Sequence, residues 1–201
     1  MHWSEKIAKD IIKRSPDKEE YVCAAGISPS GSIHIGNFRD IATSYFVYKA
    51  LIKQGKNARL LFSWDEFDRF RKVPVNVKEV APELENEIGK PYVDVKDPYG
   101  CCSSYAEHFE KEFEASLSRF GVKVDFRRQS ENYRSGKYAK YVIQAVQKRR
   151  EIFDILDKFR QQVATPEERE AYYPVSIYCP VCGKDETTIT SSSEDGVTCE
   201  Y

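Results

Sequence analysis

No run of apolar residues in this sequence is long enough to span a bilayer, and no leader with a hydrophobic segment is present. Neither a membrane protein nor a secreted one is therefore expected, and the sequence predicts a cytoplasmic protein. An excess of either charge is also missing, since 31 Lys and Arg face 32 Asp and Glu. That balance excludes a strongly basic nucleic-acid-binding domain, so any RNA contact has to come from a local patch or from elsewhere. Internal repeats and low-complexity tracts are absent. Histidine is scarce, with His2, His34 and His108 only. Six cysteines in a chain of this length, without a secretion signal, do not read as a disulfide framework.

What the chain does have is aromatic bulk: 13 Tyr and 11 Phe within a hydrophobic fraction of 41%. With 201 residues this is enough for one large domain, or for one domain and a smaller module. Cys23 falls within an apolar run and reads as a buried small hydrophobe. Cys101 and Cys102 follow Pro98-Tyr99-Gly100 in a loop, and adjacent cysteines rarely bridge each other.

The most informative stretch is 21–37. Tyr21 to Ala25 is a short apolar run stopped by Gly26. Pro29-Ser30-Gly31 is turn chemistry, because proline fixes φ and glycine tolerates positive φ. From His34 the apolar spacing becomes helical, through Ile35, Phe38, Ile41, Ala42, Tyr45 and Phe46, with Gly55 beyond the end. Strand, glycine loop and helix in this order make an anion cradle of unpaired backbone N–H groups. His34 at the helix start offers a ring N–H to a phosphate oxygen, Gly36 lets a flat nucleoside approach the backbone, and Asn37 adds a neutral donor.

Before this stretch, Trp3, Ile7, Ala8, Ile11 and Ile12 predict an amphipathic helix over 2–14. After it, Ala58–Phe62 predicts a second strand, so the first 62 residues read as a β-α-β unit with parallel strands. The segment Ser63 to Pro74 then crowds three carboxylates (Asp65, Glu66, Asp68), Trp64 and three cations beyond the end of that strand. Open α/β sheets bind ligands at such ends. An acidic residue there pairs with a cationic substrate group while Trp64 covers its aliphatic stem; a self-paired, exposed charged loop is the alternative. Further on, a short helix over 82–89 and a loop over 90–102 are expected. A helix capped at Ser103 or Ser104 follows, and then a strand over 122–126. Residues 136–163 read as helical, with Lys148-Arg149-Arg150 as a solvated face or an RNA contact. Thr165-Pro166-Glu167-Glu168 starts another short helix, and 173–178 looks strand-like. Cys179-Pro180-Val181-Cys182-Gly183 is then a zinc knuckle, in which a tight turn aims two thiolates at one ion. Cys199 is a candidate third ligand.

Pro29-x-Gly31-x-x-His34-Ile35-Gly36-Asn37 resembles the first nucleotide-binding (HIGH) motif of class I aminoacyl-tRNA synthetases, whose last position is more often His. Together with Ser63–Pro74, Asp97-Pro98-Tyr99-Gly100 and Tyr178–Lys184, the chain resembles the class I lysyl-tRNA synthetases over essentially its whole length. The resemblance implies a Rossmann-like α/β nucleotide-binding fold. Its first half would occupy 1–130, and a helical and zinc-knuckle insertion 131–201. It implies ATP-dependent activation of lysine and its transfer to tRNA(Lys), with Mg²⁺ accompanying ATP and Zn²⁺ at Cys179 and Cys182, in a set these residues leave incomplete. Pro29, Gly31, His34, Gly36 and Asn37 match ATP-binding positions. His34 and Asn37 are the catalytic ones among them, stabilising developing phosphate charge. Gly26, Ser28 and Asp65 match the amino-acid side.

The family's second half carries a lysine-rich Lys-Met-Ser-Lys-Ser loop, and no such sequence occurs in these 201 residues. The chain therefore reads as an amino-terminal portion, with a carboxy-terminal half as its missing partner. Three other readings stay open: a glutamyl-type class I synthetase, a stand-alone nucleotidyltransferase of the same superfamily, and a non-catalytic zinc-binding or partner-binding fragment. The acidic 65–68 cluster argues against the glutamyl type, which needs a cationic pocket.

Overall fold

A computed structural model of the chain describes residues 1–193 and 196–200. Helix α1 (Trp3–Arg14) begins with a capping box, in which His2 accepts from Ser4 N–H and the Glu5 side chain returns to His2 N–H. Strand β1 (Tyr21–Ile27), helix α2 (Ile35–Lys53) and strand β2 (Ala58–Trp64) form the expected β-α-β unit. The pairing is parallel and in register from Tyr21 opposite Ala58 to Ile27 opposite Trp64. Strand β3 (Asp125–Arg128) adds to the other side of β2, also parallel, giving the order β1-β2-β3. The fold is thus α/β with a three-stranded parallel sheet, consistent with a Rossmann-like synthetase domain.

One core lies against this sheet. Tyr21, Cys23, Leu60, Phe62 and Trp64, alternate positions of β1 and β2, pack with Ile41, Val47, Ala50 and Leu51 of α2. Phe113 and Leu117 of α4 (Tyr105–Arg119) and Ala8 of α1 complete it. Ser104 caps α4, its hydroxyl accepting from Glu107 N–H at 3.1 Å, and Gly121 ends the helix with a positive φ.

The segment between β2 and α4 builds a second core of its own. It folds as a short helix α3 (Val75–Lys78) and two 3₁₀ turns, Pro82–Glu87 and Tyr92–Asp94. Phe70, Val77, Leu84, Tyr92, Val95, Tyr105 and Phe109 bury against one another. Their spacing follows neither a helix nor a strand period, which is why the sequence reads as a charged loop there.

Three other expectations shift. The third strand lies at 125–128 rather than 122–126, because Val122 and Val124 pack on the core without joining the ladder. The single helix expected over 136–163 is two, α6 (Ala139–Gln147) and α7 (Arg149–Asp157), after a short α5 (Gln129–Arg134). The break falls at Lys148, beside which Arg149 turns inward to donate to the Tyr172 carbonyl at 3.1 Å and to cover the Tyr173 ring at 4.5 Å. Residues 173–178, expected to be strand-like, have no ladder partner among the described residues and form no strand. The short helix expected from Thr165 is α8 (Pro166–Ala171), and Thr165 with Glu168 forms a capping box at its start. An antiparallel hairpin, β4 (Thr188–Ser193) with β5 (Gly196–Glu200), closes the chain. No helix is long and apolar enough to cross a membrane among the described residues.

Candidate functional site

The carboxyl ends of all three parallel strands meet at one place. Asp65 N–H donates to the Ile27 carbonyl at 3.0 Å, which ties the exit of β2 to the exit of β1. Gln129, just after β3, donates its amide to Ser63 Oγ at 2.6 Å. Ser28 Oγ donates to the Asp68 carboxylate at 2.9 Å. Gly26 is required at this junction, because a Cβ there would lie 2.8 Å from the Ser63 carbonyl oxygen.

Beyond these strand ends opens a cavity of about 430 Å³. Asp65 and Asp68 line one wall, and Phe67, Tyr133 and Tyr138 supply aromatic surface. Phe67 stacks on Tyr133 with ring centroids 5.0 Å apart, and Tyr138 Oη donates to Gln129 Oε1 at 2.6 Å. Burial pushes the Asp65 carboxyl upward, the neighbouring Asp68 and Glu66 carboxylates add to this, and the Ser63 hydroxyl opposes it. The result is an acidic, aromatic-walled pocket suited to a cation on an aliphatic stem.

Of the acidic cluster, Asp65 and Asp68 face the cavity, but Glu66 does not. Its side chain is 1% exposed, and its two oxygens accept the N–H groups of Gln129 and Ser130 and the Ser130 hydroxyl at 2.6–3.0 Å. Glu66 therefore caps α5. Trp64 differs from the expectation as well: fully buried, it donates to Glu114 at 2.8 Å and does not line this cavity. Phe67, Gln129, Tyr133 and Tyr138 escaped the sequence reading, because only tertiary packing brings residues 129–138 against 65–68.

His34 caps α2, with Nδ1 accepting from Gly36 N–H at 3.0 Å. Nδ1 is then an acceptor, so the neutral ring carries its proton on Nε2 and leaves that nitrogen as the donor. Gly36 permits this, since a Cβ would meet the ring at 2.7 Å. The loop before the helix is held from α4: Tyr105 Oη donates to the Ser30 carbonyl at 3.0 Å. Pro29 is buried, Gly31 has φ near +154°, and Asn37 lies in the first turn of α2.

Cys179 and Cys182 sit in a tight turn. Cys179 N–H donates to Lys184 O at 2.7 Å, Gly183 N–H donates to Cys179 O at 2.8 Å, and Val181 N–H points at Cys179 Sγ at 3.4 Å. Backbone N–H groups of Cys182 and Val181, with the Cys182 thiol, hold the Cys179 thiol below its usual range. These features fit thiolate ligation. Among the described residues, however, no third ligand residue converges on the pair; Cys199 lies on β5 opposite Ile189. The turn docks on the segment between β2 and α4 through Asp185 N–H to Gly89 O at 2.9 Å and Tyr178 Oη to Phe67 O at 2.8 Å. The basic run is paired within the chain: Lys148 with Glu151 at 3.2 Å and Arg150 with Glu170 at 2.5 Å.

The model of the family of class I (K) tRNA synthetases matches residues 1–201. A curated lysine–tRNA ligase of Thermococcus kodakarensis is 46% identical over 194 residues, covering 96% of this chain and 36% of the relative. Those of Pyrococcus furiosus (42% identical, 98% of this chain, 37% of the relative) and Treponema pallidum (41%, 94% and 35%) are similar in the same way. The chain spans little more than a third of the length of these relatives. Strand ends, helix cap and family match agree, and the chain belongs to the class I (K) family of tRNA synthetases.

Proposed function

We propose that the whole protein activates lysine with ATP and transfers it to tRNA(Lys). In this reading, 1–130 is the first half of its nucleotide-binding domain and 131–201 a helical and zinc-knuckle insertion. The observation that carries it is the acidic pocket at the strand ends, where Ser28, Asp65 and Asp68 stand beside Phe67 and Tyr133. Two carboxylates, that of Asp65 part-buried, in an aromatic-walled cavity suit an ε-ammonium and its methylene stem. They disfavour a carboxylate side chain, which weighs against the glutamyl-type alternative. The names of the curated relatives, lysine–tRNA ligases, support the same choice.

In this proposal Gly26 and Ser28 line the amino-acid side with Asp65. Pro29, Gly31, Gly36 and Asn37 form the ATP side. His34 Nε2–H is the donor aimed at phosphate charge as it builds up, a preorganised stabilisation that needs no reorientation during reaction. The cradle fits ATP because its helix start and glycine loop leave backbone N–H groups for phosphate oxygens. Mg²⁺ accompanying ATP would supply charge neutralisation on the phosphates. Cys179 and Cys182 would hold Zn²⁺ as thiolates in a structural role.

Lysine-dependent ATP–pyrophosphate exchange by the whole protein is the test. Exchange with lysine and not with glutamate is expected. Exchange with glutamate, or with neither amino acid, would overturn the reading.

A further inference from the structure

Asp65 stands at the end of a chain of hydrogen bonds that starts from a backbone carbonyl of β3. Asn132 Nδ2 donates to the Arg128 carbonyl at 3.3 Å and to Gln129 Oε1 at 3.2 Å. Tyr138 Oη donates to the same Oε1 at 2.6 Å. Gln129 Nε2 donates to Ser63 Oγ at 2.6 Å, and Ser63 Oγ donates to Asp65 Oδ1 at 3.1 Å.

The direction of each step follows from the first. A backbone carbonyl only accepts, so the Asn132 amide turns its NH₂ toward Arg128. That NH₂ also faces Gln129, which places the acceptor Oε1 there and the donor Nε2 toward Ser63. An amide NH₂ accepts nothing, so the single proton of the Ser63 hydroxyl goes to Asp65.

We propose that Gln129 is a positioning residue, which fixes the Ser63 hydroxyl so that its proton holds the Asp65 carboxylate ready for a lysine ammonium. The assignment rests on the reading of this cavity as the lysine pocket. The joint itself does not need this side chain: the β2–β3 ladder already sets Ser63 opposite Arg127, and Glu66 caps α5 through backbone N–H groups. A hydrogen bond to the charged form favours a carboxylate, and that from Ser63 opposes both burial and the repulsion of Asp68 and Glu66. Those two acids belong to the loop of Asp65 itself. From α5, α6 and the turn between them, Gln129, Tyr133, Tyr138 and Tyr141 line the cavity, all neutral near neutral pH.

Pyrophosphate exchange by the whole protein tests the relay in Gln129→Met, Ser63→Ala and the double variant. Each single change should raise the lysine KM about fivefold and leave the ATP KM unmoved. Because Gln129 acts through Ser63, the double variant should be no worse than Ser63→Ala. Effects that multiply, or that raise both constants alike, would overturn the relay. A second measurement needs no amino acid. The carbon-13 carboxyl resonance of Asp65, assigned by its loss in Asp65→Asn, should titrate at a pH higher by about 0.5 or more in both single variants. An unmoved titration would overturn the relay even where lysine is bound. A moved titration in a protein without lysine-dependent exchange would uphold the relay and remove only the lysine reading.

Discussion

The Ser28 hydroxyl donates to the Asp68 carboxylate across 40 positions of sequence, at 2.9 Å. This bond joins the loop after β1 to the loop after β2. The exit of β1 is thus tied to a carboxylate that lines the cavity beyond the strand ends. The bond also orients Asp68, which otherwise lies at the exposed rim.

Neutralising Asp65 or Asp68 in the whole protein, as Asp65→Asn or Asp68→Asn, should therefore weaken lysine selectively. A charge-assisted contact is worth about 1.5–3 kcal/mol, so the lysine KM should rise roughly tenfold or more. The KM for ATP should move far less. Pyrophosphate exchange measured against each substrate decides it, and parallel rises in both constants would remove these carboxylates from lysine recognition.

Glu66 carries the opposite expectation, despite standing between them in sequence. It is a buried carboxylate with three donors from α5. Glu66→Ala should leave those donors unsatisfied and cost about 2–4 kcal/mol of stability. A thermal melt should show the loss, and Glu66→Gln should recover part of it. An unchanged melting temperature in Glu66→Ala would mean that α5 finds another cap.

The contrast between Asp65 and Glu66 marks how far the sequence alone could reach. Local chemistry was legible: glycine and proline punctuation, the helix starting at His34, the caps at Ser104 and Thr165, and the parallel β-α-β unit all follow from residues a few positions apart. The pocket was not, because its second wall comes from Gln129, Tyr133 and Tyr138, more than 60 positions later. Nor does spacing reveal which of three neighbouring acids turns inward, since no regular element sets the period at 65–68. Trp64 shows the same limit: its place beside the charges suggests a substrate contact, whereas the alternation of β2 sends it into the core.

His34 has two separable duties, and two substitutions divide them. His34→Ala removes both the cap and the Nε2 donor. Adenylate formation should slow by about a hundredfold or more, with about 1 kcal/mol lost from α2. His34→Asn restores a good N-cap without placing a donor where Nε2 was. Exchange should stay slow in His34→Asn although its melting temperature recovers. Recovery of exchange along with stability would make His34 a helix cap and nothing more.

Glu110 supplies a pH dependence that lies outside the pocket. It is buried, Oε1 has no hydrogen-bond partner among the described residues, and Oε2 meets Arg128 Nε at 2.8 Å. Burial raises its pKa from 4.5 to about 7, opposed by Arg128 and reinforced by the Glu66, Glu114 and Glu107 carboxylates. The folded chain thus keeps a proton on Glu110 over a range in which the unfolded chain has released it. Where the native state binds more protons than the unfolded one, stability falls as pH rises. The contribution is complete below about pH 4.5 and is lost through about pH 7. Glu110→Gln stays neutral throughout and keeps Arg128 paired with Glu114, at 2.7 Å. The stability of the native chain relative to Glu110→Gln should therefore drop by about 1–3 kcal/mol between about pH 5 and about pH 8. Chemical denaturation at the two pH values measures it. A difference that is constant with pH would show that Arg128 keeps Glu110 ionised across the range; one that grows in favour of Glu110 at high pH would show that the ion pair outweighs burial.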